Sequence, residues 1–263
     1  MSDKKELLDK VIDIAKLAGD AIMDVYESDD FEVETKHDDN FTSPLTRADK
    51  AAHNVIVTEL GKISDYYVLS EEGESHIPDT NPYWLVDPLD GTKEFVKRNG
   101  EFTVNIALVM GDRPVLGVVY APVLDVYYCG DVESGVAYKI VKGERIGIEA
   151  KSKSGTPKIV VSRSHKDEKT QKLLDAIGEH EEVAMGSSLK LCLVAEGEAA
   201  LYPRLGPTSL WDTGAADAVV TAAGGKVTQL NGKELSYKPD QEILNPNFVV
   251  SAVNSPVWQE HLA

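Results

Sequence analysis

The stretch Trp84-Leu85-Val86-Asp87-Pro88-Leu89-Asp90-Gly91-Thr92 sets two aspartates three residues apart at the end of an apolar run. Pro88 fixes one backbone torsion and Gly91 permits a tight turn, so both carboxylates can point into one site. Carboxylates crowded together cannot all ionise unless positive charge sits between them, and a divalent cation resolves that conflict. Further acids stand elsewhere: Asp49 in Thr46-Arg47-Ala48-Asp49, the pair Glu71-Glu72, and Asp212 in Trp211-Asp212-Thr213-Gly214. None of these candidates is a His or Cys, and an all-oxygen set suits Mg²⁺ or Mn²⁺ far better than Zn²⁺. Backbone N–H groups after the Gly91-Thr92 turn, with the threonine hydroxyl, can cradle a phosphate. A helix start at Asp212 can do the same from the opposite side. Metal on one face and helix N-termini on the other suits phosphoryl transfer to water, which needs positioning and charge neutralisation more than covalent help.

Each piece has a plainer reading. Asp-Pro and Asp-Gly are common turn dipeptides. Thr46-x-x-Asp49 is also a helix capping box, and Asp212 can merely cap its helix. Glu71-Glu72-Gly73-Glu74 also reads as a solvated acidic turn. Taken singly, Lys190 reads as a helix lysine, and His165 and Arg204 as surface charges. The co-occurrence of the pieces in one chain is what carries weight.

The elements that must position these groups follow from periodicity. Residues 3–28 place Leu7, Leu8, Val11, Ile12, Ala15, Ala18, Ile22 and Val25 at three- and four-residue steps, which predicts a helix. Residues 29–45 read as a loop or short hairpin, and a second helix runs from near Thr46 to Ile63. Tyr83–Val86 reads as a buried strand ending at Asp87. Residues 103–110 and 115–120 flank Gly111-Asp112-Arg113-Pro114, a hairpin signal. Further strands are expected at 125–129, 135–141 and 144–149, completing an antiparallel meander. Lys151-Ser152-Lys153-Ser154-Gly155-Thr156-Pro157 is the clearest linker. Beyond it, strands at 158–162, 182–185, 199–202, 226–230 and 247–252 interleave with helices at 166–178, 187–196 and 212–223, an α/β rhythm with a mixed sheet. The expected division is residues 1–154, an α+β metal-binding subdomain, and residues 155–263, an α/β substrate-specificity subdomain.

Bulk properties narrow the function classes. The chain has 263 residues, 42% of them hydrophobic, enough for a substantial core. Its 44 acidic and 27 basic residues give a net charge of −17, which argues against a nucleic-acid binder. Cys129 and Cys192 stand apart and outside any CxxC, so buried thiols are expected. No apolar run approaches the roughly 20 residues that span a bilayer, and the N-terminus carries no signal core. A cytoplasmic location is the expectation.

Together the motifs resemble the inositol monophosphatase-like superfamily of Mg²⁺-dependent, Li⁺-sensitive phosphatases. Its signatures look like W-[LIV]-x-D-P-[LI]-D-G-T and W-D-x-[AG]-[AG], which stand here at Trp84–Thr92 and Trp211–Ala215. Within it the chain looks most like the CysQ family of 3′(2′),5′-bisphosphate nucleotidases. That likeness rests on Asp87–Phe95, Arg98–Ala107, Ser162-Arg163-Ser164-His165, Gly186–Lys190 and Leu201-Tyr202-Pro203-Arg204. The resemblance implies a layered α-β-α-β-α sandwich, with an antiparallel sheet and two long helices in the N-terminal half. It implies hydrolysis of the 3′-phosphate of adenosine 3′,5′-bisphosphate (PAP) to AMP, with its sulfated form PAPS as a second substrate, by attack of a metal-activated water. Two to three Mg²⁺ ions are implied, with Mn²⁺ as a substitute. Glu71, Asp87, the Leu89 carbonyl, Asp90 and Asp212 would hold metal, with Glu72 as an outer contact. Asp49, Thr92 and Glu71 would orient and deprotonate the water. Glu71, Asp90, Gly91, Thr92, His165, Ser187, Lys190, Arg204 and Asp212 would meet the substrate.

One departure separates the subfamilies. Inositol monophosphatases carry an acid shortly before W-D, where it binds sugar hydroxyls, whereas Arg204 stands nearest here, with one extra residue before Trp211. A guanidinium suits a second phosphate better than a hydroxyl. The rival readings are an inositol phosphate or sugar bisphosphate phosphatase, and a cation- or nucleotide-binding protein without turnover. A monomer or weak homodimer is expected. Some relatives sit on the cytoplasmic face of the inner membrane, although no anchor is visible here.

Overall fold

The computed structural model describes residues 2–28, 34–38, 41–73, 81–163, 168–238 and 242–259. It opens with helix α1 (Ser2–Tyr26), hairpin strands β1 (Glu34–Asp38) and β2 (Phe41–Leu45), and helix α2 (Arg47–Ile63). Strands β3 (Tyr67–Ser70) and β4 (Tyr83–Asp90), the single-turn helix α3 (Thr92–Val96), β5 (Thr103–Met110), β6 (Arg113–Ala121), β7 (Val126–Asp131), β8 (Val136–Val141) and β9 (Glu144–Gly147) follow. The second half holds β10 (Lys158–Ser162), α4 (Glu168–Ile177), β11 (Glu181–Met185), α5 (Leu189–Ala195), β12 (Leu201–Arg204), α6 (Leu210–Ala222), β13 (Lys226–Gln229) and β14 (Phe248–Ser251).

Strands β3 to β9 form a seven-stranded sheet in chain order. The expected meander holds from β4 to β9, but β3, which the sequence reading missed, pairs parallel with β4 as the edge strand. Four residues of mixed burial were too short to show a period-2 signal. A five-stranded mixed sheet has the order β11-β10-β12-β14-β13.

Both faces of the large sheet are buried, which explains why its central strands read as continuous apolar runs. Trp84, Val86, Val104, Ile106, Val118 and Tyr120 face α1 and α2 in one core. The alternate residues Tyr83, Leu85, Ala107, Val109 and Val119 face α5 and α6 in another. That second core also holds Val160, Tyr202, Phe248 and Val250 from the small sheet, so α5 and α6 are the filling between the two sheets. Leu173 and Leu174 of α4 pack with Ile159, Val161 and Leu201 on the far face of the small sheet. The layers therefore run α-β-α-β-α, as expected. The middle layer is tight: a Cβ at Gly117 of β6 would lie 2.1 Å from the carbonyl oxygen of Ala215 on α6. Only glycine lets strand and helix backbones approach so closely.

Element ends differ from expectation where side chains cap helices. The last major helix begins at Leu210, with Ser209 as its N-cap, so Asp212 stands in the third helical position. The turn at Gly91-Thr92 continues as the single-turn helix α3. Strand β12 lies two residues later than the pattern 199–202 implied. Cys129 and Cys192 are free and buried, as expected.

Candidate active site

Asp49 shows that the capping and catalytic readings of Thr46-x-x-Asp49 are compatible. Its Oδ2 accepts from the Thr46 amide at 2.7 Å and from the Thr46 hydroxyl at 2.6 Å, closing the capping box at the start of α2. Its other oxygen accepts from Thr92 Oγ1 at 3.2 Å, across 43 residues of sequence. One carboxylate thus caps a helix and orients a hydroxyl. Burial pushes its pKa up to about 6, against the lowering effect of the Thr46 hydrogen bonds.

The parallel pairing of β3 with β4 brings Glu71 to Asp87. Ser70 lies opposite Val86, and the Glu71 amide donates to the Val86 carbonyl at 3.1 Å. Asp87 is 1% exposed, and its Oδ1 accepts from the Leu89 amide at 3.0 Å. The β4–β5 register slips between Asp87 and Asp90, and such an irregularity re-aims side chains. Gly91 then adopts φ +94°, a left-handed conformation suited to glycine, and starts α3. Asp212 arrives from the opposite side on α6, where its Oδ2 accepts from the Ser209 amide at 2.9 Å. Carboxylate oxygens of Glu71, Asp87 and Asp212 all lie within 4.8 Å of one another.

The electrostatics of this cluster call for a cation. Burial, with Glu71, Asp90 and Asp212 adding repulsion, holds Asp87 well above the usual carboxylate range. Asp90 is raised to about 7 by burial and by Asp212, with Lys190 and the Ser188 amide opposing. Burial also raises Asp212, despite its hydrogen bond from Ser209 and the nearby charges of Arg204 and Lys190. Converging oxygens without nitrogen or sulfur donors fit a hard divalent cation.

Asp90 and Asp212 also line a cavity of about 490 Å³, together with Gly91, Ser187, Lys190 and Arg204. Ser187 is buried with φ +45° just before α5. Burial lowers the Lys190 pKa, opposed by Asp90, and its ammonium stands 5.8 Å over the Tyr202 ring. Arg204 donates from Nη2 to the Pro207 carbonyl at 2.7 Å, while its Nε is buried with no hydrogen-bond partner among the described residues. A half-buried arginine whose Nε is a spare donor beside a cavity fits an anionic ligand. Of the sequence-predicted residues, only His165 lies outside the described residues. Leu89 buries its side chain in the α1/α2 core, and its carbonyl lies 3.4 Å from Thr92 Oγ1.

The supporting residues were not singled out from sequence. Ser188 donates its amide to Asp90 Oδ2 at 2.5 Å and its hydroxyl to Asn105 Oδ1 at 2.8 Å, and shares a further 2.8 Å hydrogen bond with the Thr103 hydroxyl. Thr103 and Asn105 stand two apart on β5, one face of an otherwise apolar strand. That polar alternation was the available signal.

The inositol monophosphatase family model matches residues 3–263. The chain belongs to that family. It is 50% identical over 250 residues to the curated 3′(2′),5′-bisphosphate nucleotidase CysQ of Escherichia coli, covering 93% of this chain and 99% of that protein. A crystal structure of CysQ from Bacteroides thetaiotaomicron superimposes with a TM-score of 0.83 at 40% identity, covering 94% of this chain and 97% of that one. An inositol monophosphatase from Anabaena shares the fold at 22% identity, with a TM-score of 0.74 over all of this chain and 95% of that one. No helix among the described residues is long and apolar enough to cross a membrane.

Proposed function

We propose that this chain is a Mg²⁺-dependent 3′(2′),5′-bisphosphate nucleotidase that removes the 3′-phosphate of PAP. The carrying observation is that the carboxylate cluster and two cations, Lys190 and Arg204, meet at one cavity through Asp90 and Asp212. The curated relatives named for that activity support the reading. Glu71, Asp87, Asp90 and Asp212, with the Leu89 carbonyl, hold two to three ions, and Mn²⁺ substitutes for Mg²⁺. Bound divalent cations neutralise the carboxylates, polarise phosphoryl oxygens and make water a stronger acid.

The chain's own groups do the rest. Thr92 commits its hydroxyl proton to Asp49, so the threonine oxygen presents lone pairs to the attacking water. Glu71 completes the orientation of that water and accepts its proton. Gly91 and Thr92 hold the phosphoryl group from the start of α3. Ser187, Lys190 and Arg204 hold the other phosphate, and His165 joins them at the nucleotide. On this reading residues 1–154 supply the chemistry except for Asp212, and the rest of residues 155–263 supply the specificity. PAPS is accepted on the same grounds as PAP. We place the enzyme in the cytoplasm, free or peripheral to the inner membrane, as a monomer or weak homodimer.

The test is phosphate release from PAP and from inositol 1-phosphate, compared as kcat/KM with and without Mg²⁺. Metal-dependent turnover that favours PAP is expected. A preference for inositol 1-phosphate would move the chain to the sugar-phosphate branch. PAP bound but unchanged in Mg²⁺ would make it a binding protein.

A further inference from the structure

Two residues of the cavity wall, Arg163 and Gly186, are held by a carboxylate outside the metal cluster. Glu101, between α3 and β5, is tied to two segments of the second half. Its Oε2 accepts from the Gly186 amide at 2.8 Å. The same carboxylate takes both prongs of Arg163, from Nε at 3.0 Å and from Nη2 at 2.6 Å. Arg163, at the end of β10, donates further to the Ala184 carbonyl at 3.1 Å, so β10, β11 and the turn before α5 are drawn to one group. The Glu101 side chain is 16% exposed and that of Arg163 46%, so the acceptor is the sheltered partner. Arg163 and Gly186 both line the cavity.

The contact leaves no slack. A Cβ at Gly186 would stand 2.8 Å from the Glu101 carbonyl oxygen and 2.9 Å from the Glu101 Cβ and Glu94 Cγ. A Cβ at Gly91 would lie 3.2 Å from the same Glu101 carbonyl and 3.3 Å from Ser187 Cβ. Glu101 is therefore wedged between the turn that starts α3 and the turn that starts α5. The next residues of that second turn are Ser187, held at φ +45°, and Ser188, whose amide reaches Asp90.

We propose that Glu101 is a positioning residue that clamps the Gly186–Ser188 turn and Arg163 onto the Gly91 turn, fixing the span between the groups that hold the two phosphates of the substrate. This rests on the bisphosphate reading above. Its carboxylate touches no reacting atom. Its effect is to keep Ser187 and Lys190 at a set distance from Gly91 and Thr92, a distance that matters for a substrate gripped at both ends.

The experiment compares wild type, Glu101→Ala and Glu101→Gln in Mg²⁺ with PAP, measuring kcat, KM and the melting temperature. Glu101→Ala is expected to raise KM by more than about tenfold with kcat within about threefold, since no proposed metal ligand is removed and the Ser188 amide keeps its own bond to Asp90. Glu101→Gln keeps an oxygen for the Gly186 amide but loses the charge facing Arg163, so its KM should rise only about threefold. A purely structural role would lower the melting temperature without this graded KM split. A KM for Glu101→Ala within about twofold of wild type, or kcat falling as far as KM rises, overturns the clamp. If Glu101→Ala does not fold, the Gln variant decides by the same KM criterion. Wild type inactive on PAP would sink the bisphosphate reading and the clamp with it, whereas active wild type with indifferent variants sinks the clamp alone.

Discussion

Replacing Asp90 with asparagine should stabilise the metal-free protein while abolishing its activity. The Asp90 carboxyl is held near pKa 7 against a reference of 3.8, chiefly by burial and by Asp212. With the folded pKa raised, the folded state binds a proton that the unfolded state has already released, so stability falls as pH rises between those two values. Below about pH 4 neither state is charged and the cost vanishes; above about pH 7 it is complete. About three pKa units at 1.36 kcal/mol each put that cost on the order of 4 kcal/mol at pH 8, and at less than half of that at pH 5. For a chain of this length 4 kcal/mol corresponds to roughly 10 °C in melting temperature. Asparagine removes the charge, and its carbonyl can still accept from the Ser188 amide. The assay is thermal unfolding of both proteins in chelator from pH 5 to 8, repeated with Mg²⁺. The variant should melt higher at pH 8, the gap should shrink to less than half by pH 5, and Mg²⁺ should raise wild type more than the variant. Turnover should drop by about a thousandfold, since an anionic ligand to the ions is gone. A variant no more stable than wild type at pH 8 in chelator would refute the claim that these acids are held together at a cost which a cation relieves.

Other perturbations separate the parts of the site from its frame. Arg204→Glu should lower kcat/KM for PAP by more than about tenfold, because a charged hydrogen bond contributes roughly 1.5–3 kcal/mol; normal PAP turnover in that variant would remove Arg204 from the phosphate site. Thr92→Ala should cut kcat by about a hundredfold or more. It should spare the melting temperature, because Asp49 keeps both bonds to Thr46. Gly117→Ala should cost at least about 2 kcal/mol in urea unfolding, since the new methyl meets the Ala215 carbonyl and neither backbone can yield cheaply. Asp217, buried on α6 and raised to about 6, accepts from Tyr237 and Thr221 at 2.9 and 3.1 Å. Its stability contribution falls as pH rises from about 4 to 6, so Asp217→Asn should remove about 3 kcal/mol of pH dependence over that window from the free energy of urea unfolding.

The cluster was legible because its members sit in short local patterns that survive without structure. Asp87 and Asp90 are read through the torsions of Pro88 and Gly91, and Asp49 and Asp212 through helix starts. Lys190 and Arg204 were legible only through the family resemblance, as neither carries a local signal. Strand β3 was not read, although it is what carries Glu71 to Asp87, because four residues are too few for a period. Ser188, Asn105 and Glu101 were missed for a different reason. Their partners lie 83 to 98 residues away, so the contact exists only after the two sheets have closed on α5 and α6.

That closure also explains how the protein tolerates several buried acids at one point. Asp212 sits on α6, whose other residues fill the layer between the sheets, and the start of this helix is tied down independently of any ligand. Asn245 donates to the Ser209 carbonyl at 2.7 Å and to Thr213 Oγ1 at 3.1 Å. Tyr237 reaches Thr213 and Asp217, and Tyr83 of β4 donates to the Tyr237 carbonyl at 2.7 Å. Strand β4, which carries Asp87 and Asp90, is thus bonded to the segment that steadies the helix carrying Asp212. Charge repulsion within the cluster works against a frame buried on both faces, and a few kcal/mol of repulsion can be held there without opening the site. A cation then finds ligands already converged, and the ordering of those side chains is charged to folding instead of to binding.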